Sequence, residues 1–337
     1  MKLYAGIDLH SSNSYLGIID ADDQRLFGKR LPNCLTTIRH ALQPFRKNIA
    51  GIAVESTYNW YWLVDGLQAD GYTMHLANPS AIRQYEGIKH TDDKWDSFFL
   101  ASLLRLGILP EGYIYPKERR SMRDLMRRRL KFVNQRTSHV LSLQSMFSRH
   151  LAASLNANEI KKLKTTDADK FFKDPFAALA ARNSISAIEF LEKRAKHIER
   201  TILKEVKLEK QFAVITSMPG VGNILGLTVM LEACDFGRFA SAGNYASYCR
   251  CVKSENISNG KKKSEGNRKN GNKYLAWAYV EAAHLIIRYC PEANRFYQRK
   301  KAKSNGALAT KALANKLARA TYCMMRDQKP FEVKKLF

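Results

Sequence analysis

The sequence predicts an α/β domain at the N-terminus and a mainly α-helical remainder. Three observations predict it. Lys2–Asp20, KLYAGIDLHSSNSYLGIID, holds two short apolar runs across a Ser-Ser-Asn turn. Residues up to about 105 then alternate strand-like runs with apolar residues at helical spacing. From Tyr115 onward helical spacing dominates.

Leu3, Tyr4, Gly6, Ile7 and Leu9 suit a buried strand, and Tyr15–Ile19 a second one hairpinned to it. Gln24–Arg30 supplies a third, after Asp22-Asp23 at the turn. Leu35, Ile38, Leu42 and Phe45 mark an amphipathic helix. Ile52–Val54 is a fourth strand running into Glu55, and Tyr72–Ala77 a fifth, closed by Asn78-Pro79. Between them Thr57–Ala69 reads as an aromatic-rich helix packed on the sheet through Tyr58, Trp60, Tyr61 and Trp62. Phe98, Leu100, Leu103 and Leu104 mark a helix that starts near Thr91, with Thr91 or Asp92 as its cap. The order β-β-β-α-β-α-β followed by a helix is that of the ribonuclease H fold.

Asp8 interrupts the first strand, and burying an ionised carboxylate is costly unless a cation or donors compensate it. A capped sheet-edge Asp is the plainer account. Glu55 ends a neighbouring strand, while Asp93 and Asp96 lie three apart on the first turn of a helix. Acids at a helix start usually just complement the macrodipole. Together the four have the number, order and placement of a carboxylate site for divalent cations. Two such ions about 4 Å apart activate a nucleophile and steady a leaving oxygen on phosphate.

Composition favours a polyanion as partner. Of the 337 residues 56 are Lys or Arg and 31 Asp or Glu, a net charge of +25. No membrane span or signal peptide is expected, because Leu3–Leu9 is too short for either. Six cysteines without CxxC pairs suit neither a structural zinc site nor a disulfide framework, and favour reduced thiols in a cytoplasmic protein.

The remainder reads as two further segments, giving domains at 1–115, 116–210 and 211–337. Arg119, Arg120, Arg123, Arg127, Arg128 and Arg129 fall in a long helical run over 119–150, with the guanidinium groups expected to face phosphate. Ile188, Leu191, Ala195, Ile198 and Ile202 form a 3-4-3-4 seam, so two long helices pack as a hairpin or across a dimer. Leu151–Asn183 reads as a mobile linker. SMPGVGNILGLTVMLE at Ser217–Glu232 resembles a helix-hairpin-helix unit, in which Gly220 and Gly222 admit a phosphate at a helix start; a tight packing turn is the alternative. Tyr245–Tyr274 is a polar phosphate-binding loop, or disorder, carrying Lys261, Lys262, Lys263, Arg268, Lys269 and Lys273. Helices follow at Leu275–Tyr289 and Lys311–Met325.

GIDLH, VEST, HTDDKWDSFFLA, SMPGVG and SNGKKKSEGNRKNGNKYLAWA, in this order, resemble the insertion-sequence transposases of the 110/1111 type, the RNA-guided DEDD recombinases. The resemblance implies a RuvC-like N-terminal domain, a coiled-coil linker and a C-terminal transposase domain with a serine nucleophile. It places the acidic tetrad on Asp8, Glu55, Asp93 and Asp96, binding Mg2+ or Mn2+, and the serine on Ser258. Ser254 and Ser264 are rivals for the serine, Asp92 is a rival for the third acid, and Ser97 stands where the family usually has Ala. The implied partners are donor and target DNA, an element-encoded guide RNA, and further copies of the chain in a dimer or, on DNA, a tetramer. The implied location is the bacterial cytoplasm, at the nucleoid when active. A metal nuclease cutting by water attack and a non-catalytic nucleic-acid scaffold are the competing readings.

Overall fold

The structure, a computed structural model, describes residues 1–82, 92–253, 256–264 and 270–337, and the side chains of these except Asn256, Ile257, Lys262 and Ser264. The chain divides into two compact units, Met1–Lys117 and Glu118–Phe337. No helix among the described residues is long and apolar enough to cross a membrane.

The first unit is a five-stranded mixed sheet with helices on both faces. Its strands are β1 (Leu3–Leu9), β2 (Asn13–Ile19), β3 (Arg25–Pro32), β4 (Ile49–Glu55) and β5 (Met74–Ala77), in spatial order β3-β2-β1-β4-β5. β1, β2 and β3 are antiparallel neighbours; β4 runs parallel to β1, and β5 parallel to β4. The helices are α1 (Leu35–Leu42), α2 (Tyr61–Ala69) and α3 (Asp93–Arg105), so the element order is the one expected.

Strand alternation sorts the side chains. Leu3, Ala5, Ile7 and Leu9 pack with Ile38 and Leu42 of α1 and Leu63 and Leu67 of α2. On the other face α3 seats Phe98 and Ala101 beside Ile19, Tyr4 and Tyr15. Its close approach rests on a row of glycines: Gly6 pairs with Gly17, and Gly17 with Gly28. A Cβ on Gly6 would stand 1.9 Å from the Ser97 carbonyl oxygen, and one on Gly28 2.9 Å from the Phe98 ring. Only a trough without side chains lets the helix lie this low. The same closeness demands a small residue at position 97, where Ser97 is fully buried and returns its hydroxyl to the Lys94 carbonyl at 2.9 Å.

β3 is shifted to Arg25–Pro32 and β5 starts at Met74 rather than Tyr72, and two helix boundaries also differ from expectation. α1 stops at Leu42 and Gln43–Phe45 continues as a 3-10 turn, because Pro44 cannot donate to the helical ladder. α2 begins at Tyr61, not Thr57; of the aromatics assigned to packing, Trp60 is buried but Tyr58 is 82% exposed.

In the second unit α4 (Lys117–Leu151) and α7 (Pro175–Val206) run antiparallel. Met126 packs with Ile198 and Ile202 at one end, and Val140 with Ile185 and Ile188 at the other. The seam is therefore a hairpin within one chain, and its apolar residues are already covered without a partner. The expected linker is ordered: α5 (Ala157–Ile160), a 3-10 turn and α6 (Ala168–Phe171) bury Ile160, Ala168 and Phe172 against Phe147. Those few apolar residues, spread among lysines, were invisible as a helical period.

A helical bundle completes the unit: α8 (Lys210–Thr216), α9 (Asn223–Ala233), α10 (Ala242–Tyr248), α11 (Lys273–Tyr289), α12 (Pro291–Lys303), α13 (Gly306–Asp327) and α14 (Val333–Leu336). Leu227, Leu231, Tyr245, Leu275, Tyr279 and Leu317 centre its core, with the Tyr245 and Tyr279 hydroxyls 2.8 Å apart. α12 escaped the sequence reading because its second half is dominated by Arg299, Lys300, Lys301 and Lys303, and Ala293 is its one fully buried residue among those described. All six cysteines are free thiols.

Candidate active site

The glycine trough fixes where the acids meet. Asp8 follows Gly6 by two residues and so faces α3, while Asp96 directly precedes Ser97 and Asp93 lies one turn earlier. The β1–β4 register, Ile7 opposite Val54, sets Glu55 beside Asp8. Asp8 is 3% exposed, and its Oδ2 accepts no hydrogen bond of good geometry among the described residues. His10 Nε2 lies 3.0 Å from that oxygen and 3.1 Å from Asp93 Oδ1. Arg30 of β3 holds the other Asp93 oxygen at 2.5 Å. Asp92 is otherwise engaged: it caps α3, its Oδ1 accepting from the Trp95 amide at 2.7 Å. Of the two adjacent acids Asp93 is the one turned to the cluster.

The electrostatics are those of crowded carboxylates. Burial first, then the Asp96 and Asp93 charges, push the Asp8 carboxyl above its ordinary range, with His10 opposing. Glu55 is raised by burial and by Asp8 and Asp96. Asp96 is raised by burial and by Asp93 and Asp92. In each case burial and the neighbouring carboxylates outweigh the charge that His10 offers. Asp8, His10 and Asp93 offer ligand atoms close enough together to share one ion. An orphaned buried oxygen among hard carboxylate donors fits a divalent cation such as Mg2+ or Mn2+.

Ser258 stands at a second place, in the other unit. β6 (Asn256–Ser258) and β7 (Lys261–Ser264) form a hairpin, with Asn259 and Gly260 at φ 50° and 68°. Two consecutive left-handed residues make a type I′ turn, which Asn-Gly favours. Ser258 pairs directly with Lys261, so both side chains leave the same face, and both are exposed. Lys263 is exposed on β7 and Lys273 opens α11. Ser254, Arg268, Lys269 and the side chains of Lys262 and Ser264 lie outside the described residues. The base of the loop is closed: the Asn272 amide donates to the Tyr248 carbonyl at 2.6 Å, and Arg250 donates twice to the Gly271 carbonyl.

The arginines of α4 are placed differently from expectation. Arg127 makes a two-bond pair with buried Glu232 at 2.6 and 2.8 Å, Arg129 pairs with Glu199 and Arg119 with Glu209. Arg120 is buried, and the Arg123 side chain is 12% exposed. Arg128 is exposed. The hairpin is sparse in apolar residues here, and Glu199 of α7, Glu209 at the start of α8 and Glu232 of α9 answer α4's charges. A guanidinium already held by a carboxylate is a poor first candidate for phosphate, so the expectation that this whole run faces phosphate is corrected. The two glycines of the 217–222 turn divide likewise. Gly220, at φ 85°, packs against the backbone of α11, where a Cβ would meet the Ile286 nitrogen at 2.7 Å. Gly222 is exposed at the N-terminus of α9, which no side chain caps.

Two family profiles match this chain. Residues 5–151 match the profile of the DEDD transposases of IS110 type, and residues 213–298 that of the transposase IS116/IS110/IS902 family. The chain belongs to this transposase family. The first match takes in the sheet and the acid cluster, and the second runs from α8 through the serine hairpin into α12. A putative transposase, y4qE, of Sinorhizobium fredii (strain NBRC 101917 / NGR234) is 24% identical over 240 residues, 71% of this chain and 58% of the relative. The insertion element IS116 uncharacterized 44.8 kDa protein of Streptomyces clavuligerus is 28% identical over 145 residues, 42% of this chain and 36% of the relative. The chain thus spans about half the length of the curated relatives it matches.

Sequence reasoning missed His10 and Arg30. His10 was legible: the strand period carries the face of Asp8 on to the residue two further along, within the same GIDLH. Arg30 had no such signal, since only the β2–β3 register brings it to Asp93.

Proposed function

We propose that this chain is a DNA transposase-recombinase that transfers phosphoryl groups at a divalent-metal site of Asp8, Glu55, Asp93 and Asp96, in a ribonuclease H-like, RuvC-type domain. The observation that carries the reading is the buried Asp8 Oδ2, without a well-formed hydrogen bond, in a cluster where burial and mutual repulsion disfavour the charged forms of Asp8, Glu55 and Asp96. Bound Mg2+ or Mn2+ would supply Lewis acidity and an activated oxygen nucleophile. The protein's own groups do the rest. The four carboxylates would hold the ions, and the α3–sheet contact sets the spacing of those carboxylates. Arg30 and His10 set the orientation of Asp93.

Ser258 is the proposed nucleophile. Its Oγ bonds to a DNA phosphorus, the bond to a deoxyribose oxygen breaks, and the proton passes to that leaving oxygen. The same-face Lys261 offsets charge building on the phosphate. The segments 1–115, 116–210 and 211–337 act as RuvC-like, helical-linker and transposase domains. Exposed Arg128, Lys261, Lys263 and Lys273 grip nucleic acid, with Gly222 at the uncapped start of α9. A guide RNA and a dimeric or tetrameric assembly follow from the family resemblance, the latter needing an interface other than the Ile188–Ile202 seam.

A second reading is favoured by His10, whose ring at Asp8 suits a general base for water attack. Element-end DNA incubated with protein and Mg2+, resolved on denaturing gels, separates the two. Ser258→Ala should abolish strand transfer and any trapped protein–DNA adduct, and Asp8→Asn should abolish all cutting. Undiminished cutting by Ser258→Ala would establish water attack instead, and full activity of Asp8→Asn would sink both readings.

A further inference from the structure

Tyr58 is an aromatic side chain with nothing to pack on, held rigidly beside the acid cluster. It is 82% exposed, and among the described residues no ring or charge contacts it. Phe176 and Tyr289 are also strongly exposed, but they lie on helices of the other unit. Isolated exposed apolar residues need no explanation in general. The turn that carries Tyr58 is what sets it apart.

That turn follows Glu55 directly and is pinned at four points. The Ser56 amide donates to the Ala77 carbonyl at 3.0 Å and the Thr57 amide to the Glu55 carbonyl at 2.8 Å. Thr57 Oγ1 donates to Asn59 Oδ1 at 2.8 Å, which orients that amide. Asn59 Nδ2 then donates to the His10 carbonyl, again at 2.8 Å. The turn is thus tied to the β1 end that bears Asp8 and His10, and to the β4 end that bears Glu55. Buried Trp60 anchors its far side. An exposed ring with its backbone fixed loses little entropy when it stacks, so it is pre-organised for a flat partner.

We propose that Tyr58 stacks an unpaired base of the DNA strand whose phosphate lies at the acid cluster, and so sets which phosphate is presented there. The chemistry is that of single-strand binding, in which a cationic protein tracks the backbone and an aromatic ring takes a base face of any sequence. The net charge of +25 provides the backbone attraction. The inference rests on the acid cluster being where DNA is processed, and its test is kept independent of turnover.

The probe is fluorescein-labelled single-stranded oligodeoxythymidylate carrying one 5-iodouracil, bound to the full chain in EDTA, with the matching oligouridylate as a second arm. Light-induced crosslinks are mapped by mass spectrometry and affinity is read from anisotropy. The expected result is a DNA crosslink at residue 58 in wild type and Tyr58→Phe. Tyr58→Ala should lose the crosslink and bind about tenfold more weakly, within the range for stacking one base. Asp8→Asn should keep both signals, so loss of catalysis and loss of stacking are told apart. Tyr58→Ala crosslinking and binding as wild type would overturn the proposal, as would a residue-58 crosslink confined to the RNA arm. The exposure of Tyr58 predicts that its variants fold, which circular dichroism checks.

Discussion

Gly6→Ala tests whether the crossing of α3 over the sheet builds the acid site. The new Cβ would lie 1.9 Å from the Ser97 carbonyl oxygen and 2.8 Å from the Ala101 amide nitrogen. Both obstacles are backbone, so no change of rotamer relieves them. Reaching the shortest separation that real Cβ atoms adopt, 3.0 Å, requires α3 to withdraw by about 1 Å or β1 to bend away. Either movement takes Asp93 and Asp96 from Asp8, while the core under α1 and α2 on the opposite face is untouched. Overpacking of this kind costs about 1–3 kcal/mol, so the unit should stay folded with a lowered Tm. A misplacement of about 1 Å costs roughly a hundredfold in rate. The assay is Mn2+ affinity by calorimetry beside DNA cleavage with Mg2+, and both should fall. Adding Ser97→Gly should not restore them, because the clash is with the carbonyl. Gly17→Ala should be milder, because its Cβ meets the Phe98 ring and the Ser97 hydroxyl at 2.9 Å, groups that can shift. Wild-type metal affinity and cleavage in Gly6→Ala would refute the argument.

The remaining predictions concern groups whose roles the structure separates. Glu232→Ala removes two bonds from Arg127 and one from Asn272, the residue that caps α11 beneath the serine loop. Stranding a buried partner costs about 3–5 kcal/mol, and the lower end applies because the Arg127 side chain is 32% exposed. At roughly 2–4 °C per kcal/mol for a unit of this size, calorimetry should show Tm lower by about 6–12 °C; a shift under about 2 °C would contradict the accounting. Replacing the pair together, Arg127→Met with Glu232→Leu, should be far milder. At the acid cluster, Asp93→Asn should eliminate metal-dependent cleavage, whereas Asp92→Ala should lose about 1 kcal/mol of stability through its cap and leave cleavage in place. The reverse pattern in the same cleavage assay would make Asp92 the third acid.

What the sequence disclosed followed periodicity and local chemistry. β1, β2, β4 and α3 were legible because their apolar residues alternate or recur at helical spacing, and because Asp8 was so costly a residue to find inside such a run. The hidden parts depend on contacts between distant segments. The glycine row is three residues eleven apart along the chain, and it acquires meaning only when the β1–β2–β3 register sets them side by side. Ser97, read as a departure from the family pattern, is then the small residue that the trough demands. The α4 arginines looked like a phosphate-facing run because nothing local shows that Glu199, Glu209 and Glu232 come to meet them. The hairpin at Ser258 had a local signal, Asn259-Gly260 between lysine-rich flanks, but polar strands carry no hydrophobic alternation to announce themselves.

The same contact that was hardest to read explains how the acids are kept together. Four carboxylates repel, and the raised protonation ranges of Asp8, Glu55 and Asp96 show that the site itself does not favour their charge. Polar contacts hold them in part, Arg30 on Asp93 and His10 between Asp8 and Asp93, but leave Asp8 Oδ2 without a well-formed bond. Apolar packing of α3 adds to these: Phe98, seated over Gly17 and Gly28 with Arg25 stacked on its ring at 4.4 Å, and Leu100 against Ala53 and Ala77. Burial of those side chains contributes on the order of 1.5–3 kcal/mol each. The sheet thus presses the acids together through a helix that has no other place to lie. A divalent cation bound there, as proposed, would meet a preformed set of ligands and relieve a repulsion that folding has already overcome.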